Sequence, residues 1–149
     1  MTKQKHMGRI LTLVLVIVIA LCALASCGEN SKSGFVTVVI GTETPTEYKV
    51  NMDKVEGGDG LLSVLAYLKT EKNLTYAETG GFLNEVGDLK PEAPVYIYIY
   101  TSVEEDFDVS TYATTMEYKG QTLTNSGVGA KDMHMTDGAV IYIGTINFG

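Results

Sequence analysis

Four carboxylates lie close together in the second half of the sequence: Glu104, Glu105, Asp106 and Asp108. Carboxylate oxygens are the ligands that Ca²⁺ prefers, so this cluster predicts a divalent-cation site between residues 104 and 108. The ligand spacing and the glycine of an EF-hand loop are absent. A solvated acidic loop that binds no ion is the competing interpretation.

His134 is a second candidate ligand, and it lies between Met133 and Met135. Two thioethers and an imidazole suit a soft metal ion such as Cu(I). In an extended segment, however, successive side chains point to opposite sides, which separates His134 from both methionines. The alternative is a surface histidine between methionines that fill the core.

Three tyrosines alternate with aliphatic residues between Val95 and Ser102 (VYIYIYTS). The period of two predicts a strand that places Tyr96, Tyr98 and Tyr100 on one face and the aliphatic side chains on the other. Rings repeated every ~7 Å along one face can stack on a sugar, a peptide or a planar cofactor. The alternative is that a neighbouring loop covers the rings, since aromatic residues are ordinary components of sheets.

No arrangement typical of an enzyme accompanies these candidates. Cysteine is absent after Cys27, and His134 is the one histidine after His6, so a nucleophile–base pair would need Ser or Thr with His134. Nucleophile-elbow and phosphate-loop motifs do not occur. We therefore predict a non-enzymatic ligand-binding or adaptor domain, with a divalent-metal-binding protein as the alternative. No cofactor other than such a metal is expected.

The first 26 residues have the organisation of a secretion signal. Lys3, Lys5 and Arg9 form a positive region, and the apolar run from Ile10 to Ala25 is interrupted only by Thr12. A helix of this length spans roughly 24 Å, which is shorter than the ~30 Å hydrocarbon core of a bilayer. The pattern therefore favours a cleaved signal peptide over a permanent membrane span.

The segment Leu24-Ala25-Ser26-Cys27, followed by Gly28, resembles the lipobox of bacterial lipoproteins. The resemblance implies that the sulfur of Cys27 receives diacylglycerol and that the chain is cut before Cys27. Residues 27–34 would then be the lipidated cysteine and a short tether. Two acyl chains hold a protein at a membrane, whereas one chain binds only marginally. We expect a lipid anchor on the extracytoplasmic face of a bacterial cell membrane.

Removal of the signal makes the remaining chain strongly acidic. Lys3, Lys5 and Arg9 leave with it, so 8 basic residues remain against 18 acidic ones and the net charge changes from −7 to −10. Nucleic-acid binding depends on Lys and Arg that neutralise phosphates, so nucleic acid is not an expected partner. Besides the membrane, the expected partner is an unidentified small molecule, glycan or surface protein.

Residues 35–149 are expected to form one α+β domain that positions these candidates. Phe35–Gly41 and Glu47–Met52 predict an opening hairpin. A helix with Asp59 as its N-cap is predicted next, because apolar residues recur with the spacing of one buried stripe: Leu61, Val64, Leu65 and Leu68. Further strands are predicted at 82–86, 95–102, 114–118 and 139–146. The result is a small mixed sheet with one main helix packed on one face.

The order of these parts is similar to that of the transcobalamin-like C-terminal domain family. The similar parts are a glycine-led turn into a Leu-rich helix (57–68), a Gly-Gly-Phe strand (80–86), an aromatic strand (96–100) and a closing segment (126–142). Membership implies a β-grasp-like α+β domain over most of 35–149. In animal cobalamin carriers such a domain closes over cobalamin bound to a separate helical barrel. This sequence has neither that barrel nor the family's usual Trp, so cobalamin binding does not follow.

Overall fold

The computed structural model describes residues 33–58 and 60–149, which contain eight β-strands and one α-helix. In chain order these are β1 (Phe35–Ile40), β2 (Thr46–Asn51), α1 (Gly60–Lys72), β3 (Tyr76–Thr79), β4 (Phe82–Val86), β5 (Val95–Thr101), β6 (Thr115–Tyr118), β7 (Gln121–Asn125) and β8 (Val140–Asn147). The predicted signal peptide (1–26), Cys27 and the predicted N-cap Asp59 lie outside the described residues.

Six strands form one mixed sheet in the order β2-β1-β8-β5-β7-β6. β1 and β8 are parallel, and every other neighbouring pair is antiparallel. β3 and β4 form a separate antiparallel pair. The predicted α+β class, with a mixed sheet and one main helix, is confirmed.

The helix α1 packs on the sheet through the predicted stripe. Leu61, Val64, Leu65 and Leu68 are each at most 1% exposed, because their spacing places them on one side of a helix with 3.6 residues per turn. The helix ends where Asn73 adopts φ 55°, a left-handed conformation that asparagine tolerates, and the Leu74 amide donates to the Leu68 carbonyl at 3.3 Å. In the described part of the chain, no helix combines the length and the apolarity required to cross a membrane.

Alternation along the central strands gives the sheet two different faces. On the helix side, Val36 and Val38 from β1 and Ile141 and Ile143 from β8 are fully buried in the main core. On the other side a smaller cluster forms around Val39, Leu123 and Tyr142. The helix therefore covers one face, and the second face has only a small core of its own.

The hairpin of β6 and β7 covers part of this second face. The Tyr118 hydroxyl donates to Glu47 Oε2 at 2.8 Å, and the Lys119 ammonium donates to the same oxygen at 2.6 Å. Glu47 belongs to β2, so these bonds join residues from the two opposite edges of the sheet. The sheet therefore curls over its second face at this end.

Two observed strands were not predicted from the sequence. In β7 the sequence QTLTN contains a single aliphatic residue, Leu123, so no apolar alternation identifies it. β3 has four residues, none of them buried, and pairs only with β4. The predicted strands at 35–41, 47–52, 82–86, 95–102, 114–118 and 139–146 agree with observed strands to within one residue at each end.

Candidate functional site

The alternation of β5 places its tyrosines on the sheet face that the helix does not cover. Ile97 and Ile99 pack against the main core, whereas Tyr100 packs against the smaller cluster on the opposite face. The Tyr98 and Tyr100 rings make an edge contact with centroids 5.3 Å apart. The strand thus places its three tyrosine rings side by side along one surface.

Phe148, which follows β8, extends this row of rings. Its ring centroid lies 6.0 Å from that of Tyr96 and 6.3 Å from that of Tyr98. The amide of Phe148 donates to the Pro94 carbonyl at 3.1 Å, which holds the chain end beside the start of β5. We call the surface formed by Tyr96, Tyr98, Tyr100 and Phe148 the aromatic face.

One end of the aromatic face is open and the other is covered. Tyr96 is 50% exposed and Phe148 is 68% exposed, whereas Tyr142, which pairs with Tyr100 across the strands, is 7% exposed. Burying large apolar rings is favourable, so rings left this exposed are available to contact a ligand. The exposed end of the strand therefore fits the prediction that the tyrosines contact a ligand. The covered end fits the alternative that neighbouring parts of the protein cover the rings.

The covered end is held closed by charged hydrogen bonds around Glu47. Hydrogen bonds from Lys119 and from Tyr118 lower the pKa of the Glu47 carboxyl below its ordinary value. Burial and the bond to Glu47 raise the pKa of the Tyr118 phenol. The Tyr118 ring also contacts the Tyr142 ring at 5.5 Å, so this corner is a packed junction of β2, β6 and β8.

Sequence reasoning missed Phe148 because it follows the predicted end of the last strand. The signal was nevertheless present, since Tyr142, Ile146 and Phe148 are separated by even numbers of residues and so share one face of an extended chain. Extending the alternation past Ile146 would have added Phe148 to the tyrosine surface.

The second candidate site contains Asp106 and His134, which are distant in sequence and adjacent in space. Asp106 is fully buried in a turn of 3₁₀ helix at Glu104–Asp106. Its Oδ2 accepts the His134 backbone amide at 2.8 Å, and its Oδ1 accepts the Nδ1–H of the ring at 2.6 Å. The prediction of a solvated acidic loop is therefore wrong at Asp106, because this carboxylate is used inside the protein.

The pair orients an otherwise exposed imidazole. The side chain of His134 is 59% exposed, and the hydrogen bond to Asp106 and its charge raise the pKa of His134 above the ordinary value, with a smaller contribution from Glu105. Nδ1 is bonded to Asp106, so the second ring nitrogen, Nε2, is the one available to a ligand. A carboxylate behind a histidine is the usual arrangement for a metal-ligating imidazole.

The other predicted metal ligands do not join this pair in one cluster. Asp108 accepts hydrogen bonds from the Ser110 amide at 2.8 Å and from Asn125 Nδ2 at 3.0 Å, and these bonds lower its pKa. Glu104 and Glu105 are exposed. Within residues 33–58 and 60–149, no three His, Cys, Asp or Glu side chains come together as a metal-binding group.

The methionines beside His134 lie apart from its ring. Met133 is 3% exposed and belongs to the main core, and Met135 packs partly against the same core. His134 points outward between them. The soft ligand set of two thioethers and an imidazole is therefore divided between the core and the surface.

Comparison with known proteins supports the fold alone. No protein-family model matches the chain, and no curated protein matches it. Among solved structures, it is similar to a protein from Ruminococcus gnavus described as a "putative metal binding protein", with a TM-score of 0.51 and 12% sequence identity. The match covers 78% of this chain and 100% of the other. At this identity the similarity extends to the chain path and not to the side chains of a site.

The pairing of Asp106 with His134 predicts a pH-dependent stability. Because the pKa of His134 is raised in the folded state, the ion pair contributes fully below the ordinary imidazole pKa of about 6.5 and is lost as pH rises through the folded pKa. Urea unfolding of the wild type and of His134→Gln at several pH values between 5 and 9 measures this contribution. The free-energy difference between them should be largest at the acidic end and shrink at alkaline pH. A difference that is constant across the series would contradict the assignment.

Proposed function

We propose that this chain is a lipid-anchored binding protein of a bacterial cell membrane, exposed on the extracytoplasmic side, whose ligand contacts the aromatic face. The observation that carries the proposal is the exposure of Tyr96 and Phe148, at 50% and 68%, in ring contact on a sheet face that the helix does not cover. Exposed aromatic rings in a continuous row are typical of binding surfaces.

The role is binding rather than catalysis. The exposed groups of the aromatic face are rings and phenol hydroxyls, which stack and donate hydrogen bonds but do not transfer protons readily near neutral pH. The ligand class is a small molecule, a glycan or a surface protein. Nucleic acid is disfavoured, because the chain after residue 26 has a net charge of −10 and its 8 basic residues are outnumbered by 18 acidic ones.

The topology supports the proposed family resemblance. A β1–β2 hairpin, a helix, and a last strand inserted beside β1 in parallel are the main features of a β-grasp-like sheet. The glycine-led helix and the aromatic strand are the parts on which the resemblance to the transcobalamin-like C-terminal domains rests. This support concerns the domain type, and cobalamin is not part of the proposal.

Substitution on the aromatic face tests the binding role. We expect at least one member of a panel of glycans, peptides and corrinoids to change the tyrosine fluorescence of the purified full-length chain. Replacing Tyr98 with Ala should weaken that binding about tenfold or more, since aromatic anchors at binding surfaces often contribute over 1.4 kcal/mol. The matched control is Tyr112→Ala, because Tyr112 is 84% exposed on a loop outside the aromatic face. Equal binding by the wild type and a folded Tyr98→Ala would contradict the proposal.

Cys27 is the proposed anchor. Two acyl chains there would keep the domain within reach of the membrane, because a tether of about seven extended residues spans at most ~25 Å. In the native host, Cys27→Ala should abolish incorporation of radiolabelled palmitate and release the chain from the membrane fraction. Cys22→Ala is the matched control and should retain both properties. Palmitate labelling that persists in Cys27→Ala would exclude this anchor.

A second candidate function is binding of a divalent metal ion at His134. It is favoured by the buried Asp106, which holds the ring through Nδ1 and leaves Nε2 available to a ligand. Glu105 is near enough for its charge to raise the pKa of His134, so it is the nearest candidate for a second ligand, with water completing the set. Imidazole and carboxylate together suit Zn²⁺ or Cu²⁺ better than Ca²⁺. The description of the Ruminococcus gnavus protein as "putative metal binding" points in the same direction.

Thermal melts distinguish this candidate. A metal ion that binds only the folded chain stabilises it by about 2.7 kcal/mol at a hundred times its Kd. We expect Zn²⁺ or Cu²⁺ to raise the melting temperature relative to EDTA, and His134→Gln to remove the increase. The control Glu56→Gln changes an exposed carboxylate elsewhere and should keep it. Identical melting curves with EDTA, Ca²⁺, Zn²⁺ and Cu²⁺ would rule this candidate out.

A further inference from the structure

The strand that carries the tyrosines is fully paired along only one of its edges. Toward β8, the pairing covers every residue of β5 from Val95 to Thr101. Toward β7, it covers only Tyr100 and Thr101. The first part of β5 therefore has an edge to which no described strand is hydrogen-bonded, although β4 lies near it.

The Val95 amide already donates to the Glu92 carbonyl at 2.9 Å, so the free backbone groups at this open edge are the Val95 carbonyl and the N–H and C=O of Ile97. The Pro94 carbonyl accepts the Phe148 amide on the β8 side, whereas the Ile99 carbonyl accepts the Ser126 amide at 2.8 Å on the other side. Backbone groups alternate between the two edges of an antiparallel strand. The N–H and C=O of Ile97 therefore point to the open edge, where no described residue donates to or accepts from them.

Two clefts lie along this edge, and Ile97 lines both. One, of about 420 Å³, extends toward Pro91 and Tyr96. The other, of about 320 Å³, extends toward Ser126 and Val128. Phe82 and Leu83 of the β3–β4 hairpin also line both clefts, and Phe82 is 73% exposed. The open edge thus lies in a groove with an exposed aromatic wall.

We propose that this groove binds an extended peptide segment, which adds to β5 as an extra strand. The inference rests on the proposed binding function and names its ligand class. A peptide main chain supplies a donor and an acceptor for Ile97 and a second donor for the Val95 carbonyl, whereas a glycan or a planar ring does not present these groups at strand spacing. A free strand edge is a template for this type of pairing.

The side chains of an added strand would have two separate surroundings. Alternate residues would enter the groove beside Phe82 and Leu83, and the residues between them would lie next to Tyr96 and Tyr98 on the aromatic face. The free backbone groups between Val95 and Ile97 can pair with about three residues of the peptide. The surrounding chain is strongly acidic after residue 26, so the complementary segment is apolar in alternate positions and neutral or basic elsewhere.

The acidity of the chain argues for a single peptide rather than a second copy of the protein. Two copies that each carry a net charge of −10 after residue 26 repel each other. Dimer formation is nevertheless measured as an outcome of the test.

The experiment uses the purified full-length chain and a random nine-residue peptide library displayed on phage. Selected peptides are synthesised with single N-methyl groups at each position, which remove one backbone donor at a time. We expect affinity to fall about tenfold at alternate positions and to change little at the positions between them, because only every second amide faces β5. On the protein side, the Ile97 amide should become protected from hydrogen exchange when a selected peptide binds.

A pair of variants at one residue separates backbone pairing from packing. Ile97→Pro removes the free N–H while leaving the β8 ladder intact, as an edge position allows. Ile97→Ala retains the N–H and loses only side-chain contacts. Peptide binding should be lost in Ile97→Pro and weakened less in Ile97→Ala, because only the proline removes the backbone donor. If Ile97→Pro does not fold, the N-methyl series and the amide exchange of the wild type decide the question.

The outcomes also separate this inference from the proposed function. No selected peptide, or binding that is insensitive to N-methylation at all positions, overturns strand addition. If a glycan or corrinoid then binds and Tyr98→Ala weakens it, the binding role of the aromatic face stands without the peptide. A dimer in sedimentation velocity that Ile97→Pro dissociates would show that the edge pairs with a second copy, which also overturns the peptide assignment.

Discussion

The last strand of the chain lies in the middle of the six-stranded sheet, and both halves of the domain are joined through it. β8 pairs in parallel with β1 on one side and antiparallel with β5 on the other. Its Ile141 and Ile143 are completely buried under the helix, and burial of such a side chain contributes roughly 1.5–3 kcal/mol. Without β8, the β1–β2 hairpin and the tyrosine strand would have no common hydrogen-bonded neighbour.

This central position also explains why the two faces differ. One helix stabilises the face that carries Val36, Val38, Ile141 and Ile143, and it leaves the other face to side chains of the sheet itself. On that face the β6–β7 hairpin reaches as far as Glu47 and closes one end. The rings beyond it, Tyr96 and Phe148, have no covering element among the described residues. The candidate site is therefore the part of the sheet that the fold leaves uncovered.

Most of the fold was predictable because its signals are local. The helix stripe of Leu61 and Leu65 and the alternation of Tyr96 to Tyr100 are properties of short windows, and both patterns match the structure. β7 was not predictable in this way, because its polar residues are held by pairing with β5 and β6 and not by an apolar face. Hydrogen bonding between strands that are distant in sequence cannot be recognised from a short stretch of sequence.

The candidate sites were also predictable only as far as their signals are local. The sequence identified Asp106 and His134 as polar residues of interest but gave no reason to pair them, since 28 positions separate them. It also gave no reason to expect Asp106 to be buried. The open edge of β5 could not be predicted either, because it depends on the point at which β7 stops pairing with β5. The sequence was sufficient to predict the residue types and the strand face on which each residue lies. The contacts between distant segments are known only from the structure.

The placement of β8 has a consequence for how the protein is made. The segment Val140–Asn147 is synthesised after every other described element, so the central ladders of the sheet cannot form before it is made. Until then the chain has only the β1–β2 hairpin, the helix and the outer strands, whose contacts are largely local and whose cores are incomplete. A chain built in this order stays loosely folded until β8 has been made, and the sheet is completed only then.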